Sequence, residues 1–125
     1  MMPDKCPTIC VVDDDPSVCR ALGRVIRMAG FTVRSYTSAR ELLDVRQLEN
    51  IDLFLLDIQM PVMNGFILQD RLADTGFKIP FIFMTAHDVE AMRIRSNKKG
   101  AAAFLQKPFD ENDLLEAINK GLKKG

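Results

Sequence analysis

Residues that could take part in ionic or nucleophilic chemistry follow four short apolar runs in this 125-residue sequence. Three acids at 13–15 follow the first run, Asp57 follows the second, Thr85 follows the third, and Lys107 comes two residues after the fourth. Carboxylates packed about 4 Å apart would repel one another by roughly 4 kcal/mol per pair at an effective dielectric constant of about 20. A cluster of these acids would therefore require a cation, and carboxylate oxygens suit Mg²⁺ or Mn²⁺ rather than Zn²⁺.

Apolar runs alternate with amphipathic stretches along the whole chain, and this order determines where the reactive side chains lie. A continuous run such as Ile-Cys-Val-Val at 9–12 is typical of a strand that is buried on both faces. The predicted strands are 9–12, 31–36, 53–56, 79–84 and 102–105.

Capping residues and glycines set the limits of the helices between these strands. Asp15 is a predicted N-cap with Pro16 at the first helical position, and Gly30 ends that helix. The other predicted helices start after Ser38 (with apolar positions 42, 43 and 45), after 64–65, at about 88 and at 110. The third of the five runs to about 74 and ends near 76, and the fourth stops at 100.

Five strands that alternate with five helices predict an α/β fold with right-handed parallel crossovers, a doubly wound five-stranded parallel sheet. The length predicts a single domain over 1–125. A sheet of this kind binds ligands beyond the carboxyl ends of its strands, and the acids, the hydroxyl and the lysine described above all lie there.

Composition restricts the class of function. Lys plus Arg and Asp plus Glu both number 17, which argues against nucleic acid or an anionic membrane as a direct partner. No apolar run approaches the roughly 20 residues of a membrane span, and the start at 1–5 is not a signal peptide. Cys6, Cys10 and Cys19 have no metal-type spacing and are interpreted as reduced thiols, so the cytoplasm is the expected compartment.

Four motifs identify a family when they are taken together. They are the acidic pair after strand one, Leu-Leu-Asp-Ile-Gln-Met-Pro-Val-Met-Asn-Gly at 55–65, Met-Thr-Ala at 84–86, and Phe-Leu-Gln-Lys-Pro-Phe at 104–109. With these motifs the chain resembles the receiver domain of bacterial two-component response regulators, from Ile9 to about Leu122. The resemblance implies a flavodoxin-like sheet.

The resemblance also implies an acceptor and a metal site. Asp57 would accept a phosphoryl group in a Mg²⁺-dependent reaction. Asp13, Asp14 and Asp57 would hold the metal together with the backbone carbonyl of Gln59, and Asp14 is favoured over Asp13 as the direct ligand. The peptide bond Lys107-Pro108 matches one that is usually cis in the family.

Further residues would bind the phosphoryl group or change conformation in response to it. Lys107 would pair with one phosphoryl oxygen and the hydroxyl of Thr85 would bind another. Phe104 occupies the aromatic switch position, moving in response to Thr85. His87 and the side chain of Gln59 lie two residues past Thr85 and the acceptor, and would control the access of hydrolytic water.

The expected partners are a sensor histidine kinase or phosphotransfer protein, with a phosphorylation-dependent homodimer through strand five and its flanking helices. The motifs at 84–87 and 100–109 look like those of receivers joined to helix-turn-helix DNA-binding domains, so transcription regulation is the expected output. No enzymatic activity is expected beyond the domain's own phosphorylation and dephosphorylation.

Several alternatives stay open from the sequence. One is a stand-alone regulator that acts by protein–protein binding. A receiver that cannot be phosphorylated is disfavoured, because every expected type of active-site residue is present. A phosphatase with an aspartyl-phosphate intermediate is disfavoured, because Gln59 stands where the haloacid dehalogenase type carries a second acid. A flavin- or nucleotide-binding domain is disfavoured because three acids, rather than a glycine-rich loop, follow strand one.

Overall fold

The computed structural model describes residues 6–45, 48, 50–76 and 78–124 of the chain. Within those residues, five parallel strands form one sheet in the order β2-β1-β3-β4-β5 and alternate with five helices along the sequence. The elements are β1 (Thr8–Val12), α1 (Pro16–Met28), β2 (Thr32–Tyr36), α2 (Ala39–Leu43), β3 (Leu53–Asp57), α3 (Gly65–Asp74), β4 (Phe81–Thr85), α4 (Val89–Lys98), β5 (Ala103–Gln106) and α5 (Glu111–Lys124). The predicted doubly wound α/β fold is confirmed.

Both faces of the sheet are covered, which explains why most residues of its central strands are apolar. Successive strand residues point to opposite faces, so Ile9 and Val11 pack with α1 and α5, whereas Cys10 and Val12 pack with α2 and α3. All five residues of β3 are buried. The last residue of β3 is Asp57, so its carboxylate lies at the edge of the sheet directly after four core residues.

The predicted helix caps are present. The Asp15 side chain accepts a hydrogen bond from the Ser17 N–H, and the Ser38 hydroxyl accepts one from Glu41 N–H. Asn64 caps α3 in the same way. Gly30 follows α1 with a φ of 100°, a backbone conformation that side chains with a Cβ rarely adopt.

Strand and helix boundaries mostly lie within one residue of the predictions, and the differences at β4, α2 and α4 have local causes. β4 begins at Phe81 rather than 79, because Pro80 has no N–H to contribute to a strand ladder, and it extends to include Thr85. α2 ends at Leu43, and Val45 packs against the core from outside the helix. α4 begins at 89 after Asp88, whose φ of 49° is left-handed and whose side chain makes no capping hydrogen bond.

The predictions about membrane spans and cysteines can be compared with the described part of the chain. No helix there is long and apolar enough to cross a membrane. Cys6 is exposed, Cys10 and Cys19 are buried, and all three are free thiols, as predicted. The start at 1–5, which argued against a signal peptide, and residue 125, where the predicted domain ends, lie outside the described residues.

Candidate functional site

The carboxyl ends of β1 and β3 bring three acids together. These strands are hydrogen-bonded neighbours, with Val12 paired to Leu56, so the residues that follow them lie side by side. One carboxylate oxygen from each of Asp13, Asp14 and Asp57 lies within 4.8 Å of the other two. The predicted acidic cluster is present, and its all-oxygen donor set fits a hard divalent cation.

Asp13 is fixed in place from several sides. Its side chain is almost fully buried; one oxygen accepts a hydrogen bond from the Asp15 N–H at 2.9 Å and the other accepts one from Lys107 Nζ at 2.7 Å. Its backbone N–H donates to Tyr36 O at 3.2 Å, and the Cys19 thiol donates to its carbonyl at 3.3 Å. Asp13 is therefore held rigidly, with both carboxylate oxygens already accepting hydrogen bonds.

The next two acids differ from Asp13 and from each other. Asp14 is exposed and contributes an oxygen to the acidic cluster. Asp15 serves α1 instead: its carboxylate accepts hydrogen bonds from the hydroxyl and the N–H of Ser17, at 2.6 and 2.9 Å. Those bonds lower the pKa of Asp15. Of the triplet, the first two acids form the site and the third is a helix cap.

Asp57 is buried and surrounded by charge. Lys107 Nζ lies 3.5 Å from one of its oxygens. Burial, followed by the negative charge of Asp13, raises the pKa of Asp57 to about 7; Asp14 adds to the increase, and Lys107 opposes it. Burial alone would lower the pKa of Lys107, but its hydrogen bond to Asp13 and the charges of both buried acids raise that pKa overall. The one positive charge of Lys107 cannot balance the negative charges of three carboxylates.

The loop after β3 is held against the backbone of Asp57. Gly65 N–H donates to Ile58 O at 3.1 Å, and a Cβ at residue 65 would lie 2.5 Å from the Asp57 carbonyl oxygen. Only glycine allows the start of α3 to approach this closely. In the same loop, Val62 has a φ of 70° and is 99% exposed, an uncommon conformation for a β-branched residue.

Thr85 is fully buried at the end of β4 and bonded to two residues of the site. Its hydroxyl donates to the side-chain carbonyl of Gln59. The N–H of His87 donates to the same hydroxyl oxygen at 3.2 Å, and the His87 carbonyl lies 3.0 Å from it. The side chain of Gln59 is therefore directed at Thr85, whereas His87 is exposed and contacts Thr85 through its backbone.

Phe104 lies on β5 beside Phe83 of β4 and is half-buried. The guanidinium of Arg93 lies 4.9 Å from the Phe104 ring centroid, and that of Arg95 lies 4.3 Å from the Phe66 ring. Two arginines of α4 thus cover aromatic rings on either side of the helix. A concavity of about 790 Å³ lies between α4, β5 and α5 and includes Phe104.

Some contacts of the site could not be read from the sequence. The offsets of Gln59 from Asp57 and of His87 from Thr85, two residues each, indicated that both lie near the acidic cluster, but not that Gln59 bonds to Thr85. The thiol bond from Cys19 to the Asp13 carbonyl was also missed, since nothing in the spacing signals it. The Lys107-Pro108 bond is cis, as the resemblance implies.

Comparisons with known proteins show which proteins this chain resembles. A family model described as the response regulator receiver domain matches residues 9–119. Response regulator protein TmoT of Ectopseudomonas mendocina is 42% identical over 123 residues, which are 98% of this chain and 56% of TmoT. Transcriptional regulatory protein TdiR of Thauera aromatica is 38% identical over 115 residues, which are 92% of this chain and 51% of TdiR.

Solved structures show the same likeness. Response regulator StyR superposes with a TM-score of 0.86 at 43% identity, over 94% of this chain and 60% of the StyR chain. The chain spans about half the length of the curated relatives it matches.

Proposed function

This chain belongs to the family of response regulator receiver domains, and from that premise we propose that Asp57 is a phosphoryl acceptor whose modification switches the domain's conformation. A receiver is a signalling domain rather than a classical enzyme, and the chemistry proposed here is limited to its own phosphorylation and dephosphorylation. One observation supports the proposal most directly: Asp57 is buried at the end of β3, beside two further carboxylates and 3.5 Å from a lysine ammonium.

The transfer is a displacement at phosphorus. An ionised oxygen of Asp57 forms a bond to phosphorus while the bond from phosphorus to the donor's leaving atom breaks, and that atom keeps the electron pair. The product is a mixed anhydride of the Asp57 carboxyl group. The donor is a phosphohistidine of a sensor histidine kinase or phosphotransfer protein, or a small acyl phosphate. Because burial raises the pKa of Asp57 to about 7, added positive charge would increase its ionised fraction near neutral pH.

The oxygen ligands suit Mg²⁺, with Mn²⁺ as a substitute. The bound ion would supply positive charge to the acceptor and to the phosphoryl oxygens. We assign its ligands to Asp13, Asp14, Asp57 and the backbone carbonyl of Gln59. Asp14 is the direct ligand we favour, because it is exposed whereas both oxygens of Asp13 already accept hydrogen bonds.

Two residues would respond to the new phosphoryl group. Lys107, which already lies between Asp13 and Asp57, would pair with one phosphoryl oxygen. The Thr85 hydroxyl would form a charge-assisted hydrogen bond with another, a contact that exists only in the modified state. Movement of Thr85 would then allow the half-buried ring of Phe104 to turn inward and change the surface of α4, β5 and α5.

The output of this switch is inferred from the relatives. TdiR is a transcriptional regulatory protein, and this chain matches about half of its length. We propose that phosphorylation controls a DNA-binding output region of that kind, through a homodimer formed by the α4-β5-α5 face. The balanced charge supports the view that the receiver itself does not contact nucleic acid. We propose the cytoplasm as its compartment, where its thiols remain reduced.

Phosphorylation can be tested by intact mass. The protein is incubated with Mg²⁺ and acetyl phosphate, with and without EDTA. The wild-type protein should gain a single phosphoryl group that is labile to hydroxylamine and dependent on Mg²⁺. The control variant Asp74→Asn, which removes an exposed carboxylate of α3, should gain the same mass. Asp57→Asn should gain no mass. Labelling of that variant at the wild-type level would reject the acceptor assignment.

The switch is tested separately with beryllofluoride, which mimics a phosphoryl group on a carboxylate. Light scattering should show self-association of the wild type when it is added, and chemical shifts of residues 88–123 should move. Thr85→Ala should still accept phosphate, more slowly, yet lose most of this response. A full response from that variant would exclude the proposed route through Thr85.

Control of water access is tested by decay of the acyl phosphate. After removal of the donor, His87→Ala and Gln59→Ala should decay at rates different from the wild type, with less change in how fast they are labelled. Unaltered decay of both variants would exclude this role.

A further inference from the structure

The hydroxyl of Thr85 is fully engaged within the protein. A threonine hydroxyl has one proton to donate. Two acceptors lie within hydrogen-bond distance of it, the side-chain carbonyl of Gln59 and the backbone carbonyl of His87, the latter at 3.0 Å. The hydroxyl oxygen accepts the N–H of His87 at 3.2 Å. The Thr85 side chain is fully buried, so water does not compete for this bond.

The position of Gln59 is set by the backbone on both sides of it. Ile58 N–H donates to Met84 O at 2.9 Å, which ties the loop to the residue before Thr85. The carbonyl of Ile58 accepts hydrogen bonds from the N–H groups of Met60 and Gly65, both at 3.1 Å. These bonds hold the half-buried Gln59 between β3 and β4, where its amide reaches the hydroxyl.

We propose that the side chain of Gln59 is a latch that holds Thr85 in the unphosphorylated conformation. The inference rests on the proposed function, in which a phosphoryl oxygen on Asp57 draws in the Thr85 hydroxyl. Since Thr85 has a single proton to donate, a phosphoryl oxygen and the Gln59 carbonyl compete for it. The bond to Gln59 must break before the switch can proceed, so this side chain opposes activation in the resting state.

The latch differs from control of hydrolytic water in what it predicts. A residue that excludes water changes how fast the acyl phosphate decays and leaves the affinity for a stable phosphoryl mimic unaltered. A latch changes that affinity, and it does so only when Thr85 carries a hydroxyl. Gln59 is thus a positioning residue that acts through Thr85.

The test is a double-mutant cycle. Gln59→Met keeps the length of the side chain without a hydrogen-bonding group, and Thr85→Val keeps the shape of Thr85 without the hydroxyl. Beryllofluoride binding is measured at saturating Mg²⁺ by chemical shift titration for the four proteins. Gln59→Met should bind about three- to tenfold more tightly than the wild type, the range for one net hydrogen bond. In the Thr85→Val background the same change should have no effect.

Controls separate the latch from other effects of residue 59. The Mg²⁺ affinity of each variant is measured in the absence of beryllofluoride, and a urea melt checks that each variant is folded. If Gln59→Met does not fold, Gln59→Ala takes its place. Equal or weaker binding by Gln59→Met, or an equal gain in both backgrounds, would overturn the latch alone. Failure of the wild type to bind beryllofluoride in an Asp57-dependent way would overturn the proposed function as well.

Discussion

Replacing Asp57 by Asn exchanges a buried carboxylate for a neutral group of the same shape, and this should stabilise the metal-free protein. An aspartate in an unfolded chain has a pKa of about 3.9, whereas burial and the charge of Asp13 raise the pKa of Asp57 to about 7 in the folded protein. The folded state therefore holds this proton more tightly than the unfolded chain. Between about pH 4 and pH 7 unfolding releases the proton, and the free energy of unfolding falls as the pH rises.

The size of the effect follows from the shift. Three pKa units correspond to about 4 kcal/mol that ionised Asp57 subtracts from stability above pH 7. That value already includes the attraction of Lys107, 3.5 Å away, and screening by solvent at the edge of the site reduces the gain. We expect Asp57→Asn to exceed the wild type in free energy of unfolding by about 2–4 kcal/mol at pH 8 and by about 1 kcal/mol at pH 5.

The assay is urea unfolding in EDTA, followed by far-UV circular dichroism at pH 5, 6.5 and 8. Asp74→Asn, which removes an exposed carboxylate, serves as control and should stay within about 0.5 kcal/mol of the wild type. Saturating Mg²⁺ at pH 8 should narrow the gap, because an ion that binds the folded acidic cluster stabilises the wild type more. A variant no more stable than the wild type at pH 8 would refute the reasoning that the buried charge is uncompensated.

Three further outcomes are expected. Asp14→Ala should weaken Mg²⁺ binding at least tenfold in a titration followed by chemical shifts, with little loss of stability; wild-type affinity would contradict its assignment as a direct ligand. Gly65→Ala should slow labelling by acetyl phosphate and destabilise the fold by about 1–3 kcal/mol, because its Cβ would meet the carbonyl oxygen of Asp57, the proposed acceptor. In Gly23→Ala, the matched control, the Cβ meets only the side chain of the same helix and labelling should be normal. Val62→Gly should raise stability by about 0.5–1 kcal/mol in a urea melt, since it relieves a left-handed φ at an exposed side chain; a loss would show that no strain was stored there.

The sequence predicted the fold because its signals agree at every level. Buried strands appear as apolar runs, Asp15 and Ser38 cap helices as their residue types predict, and Gly30 ends α1 with a positive φ. The acidic cluster could be predicted for a topological reason, since parallel strands bring their carboxyl ends to one edge. Asp57 could be singled out by its place after four core residues together with the motif at 55–65.

What could not be predicted depends on three-dimensional contacts between side chains. The different states of Asp13 and Asp14, one buried and bonded to Lys107 and the other exposed, follow from how the loop turns after β1. The bond from Thr85 to Gln59 joins residues 26 positions apart, and no residue pattern records that distance. Aspartate commonly caps a helix with its side chain. Asp88 precedes α4, but its side chain makes no capping hydrogen bond.

The weak attachment of α4 has a consequence for how the molecule opens. Among its ten residues only Ser96 is buried, and its arginines cover the rings of Phe66 and Phe104 from the solvent side. A helix of this length is marginal by itself, so its amide protons should exchange with solvent through local openings that leave the sheet intact. Protection should be lowest here and highest in β3, which is buried throughout. The face proposed to signal outward is thus the part of the fold that can reorganise at a small fraction of the free energy of global unfolding.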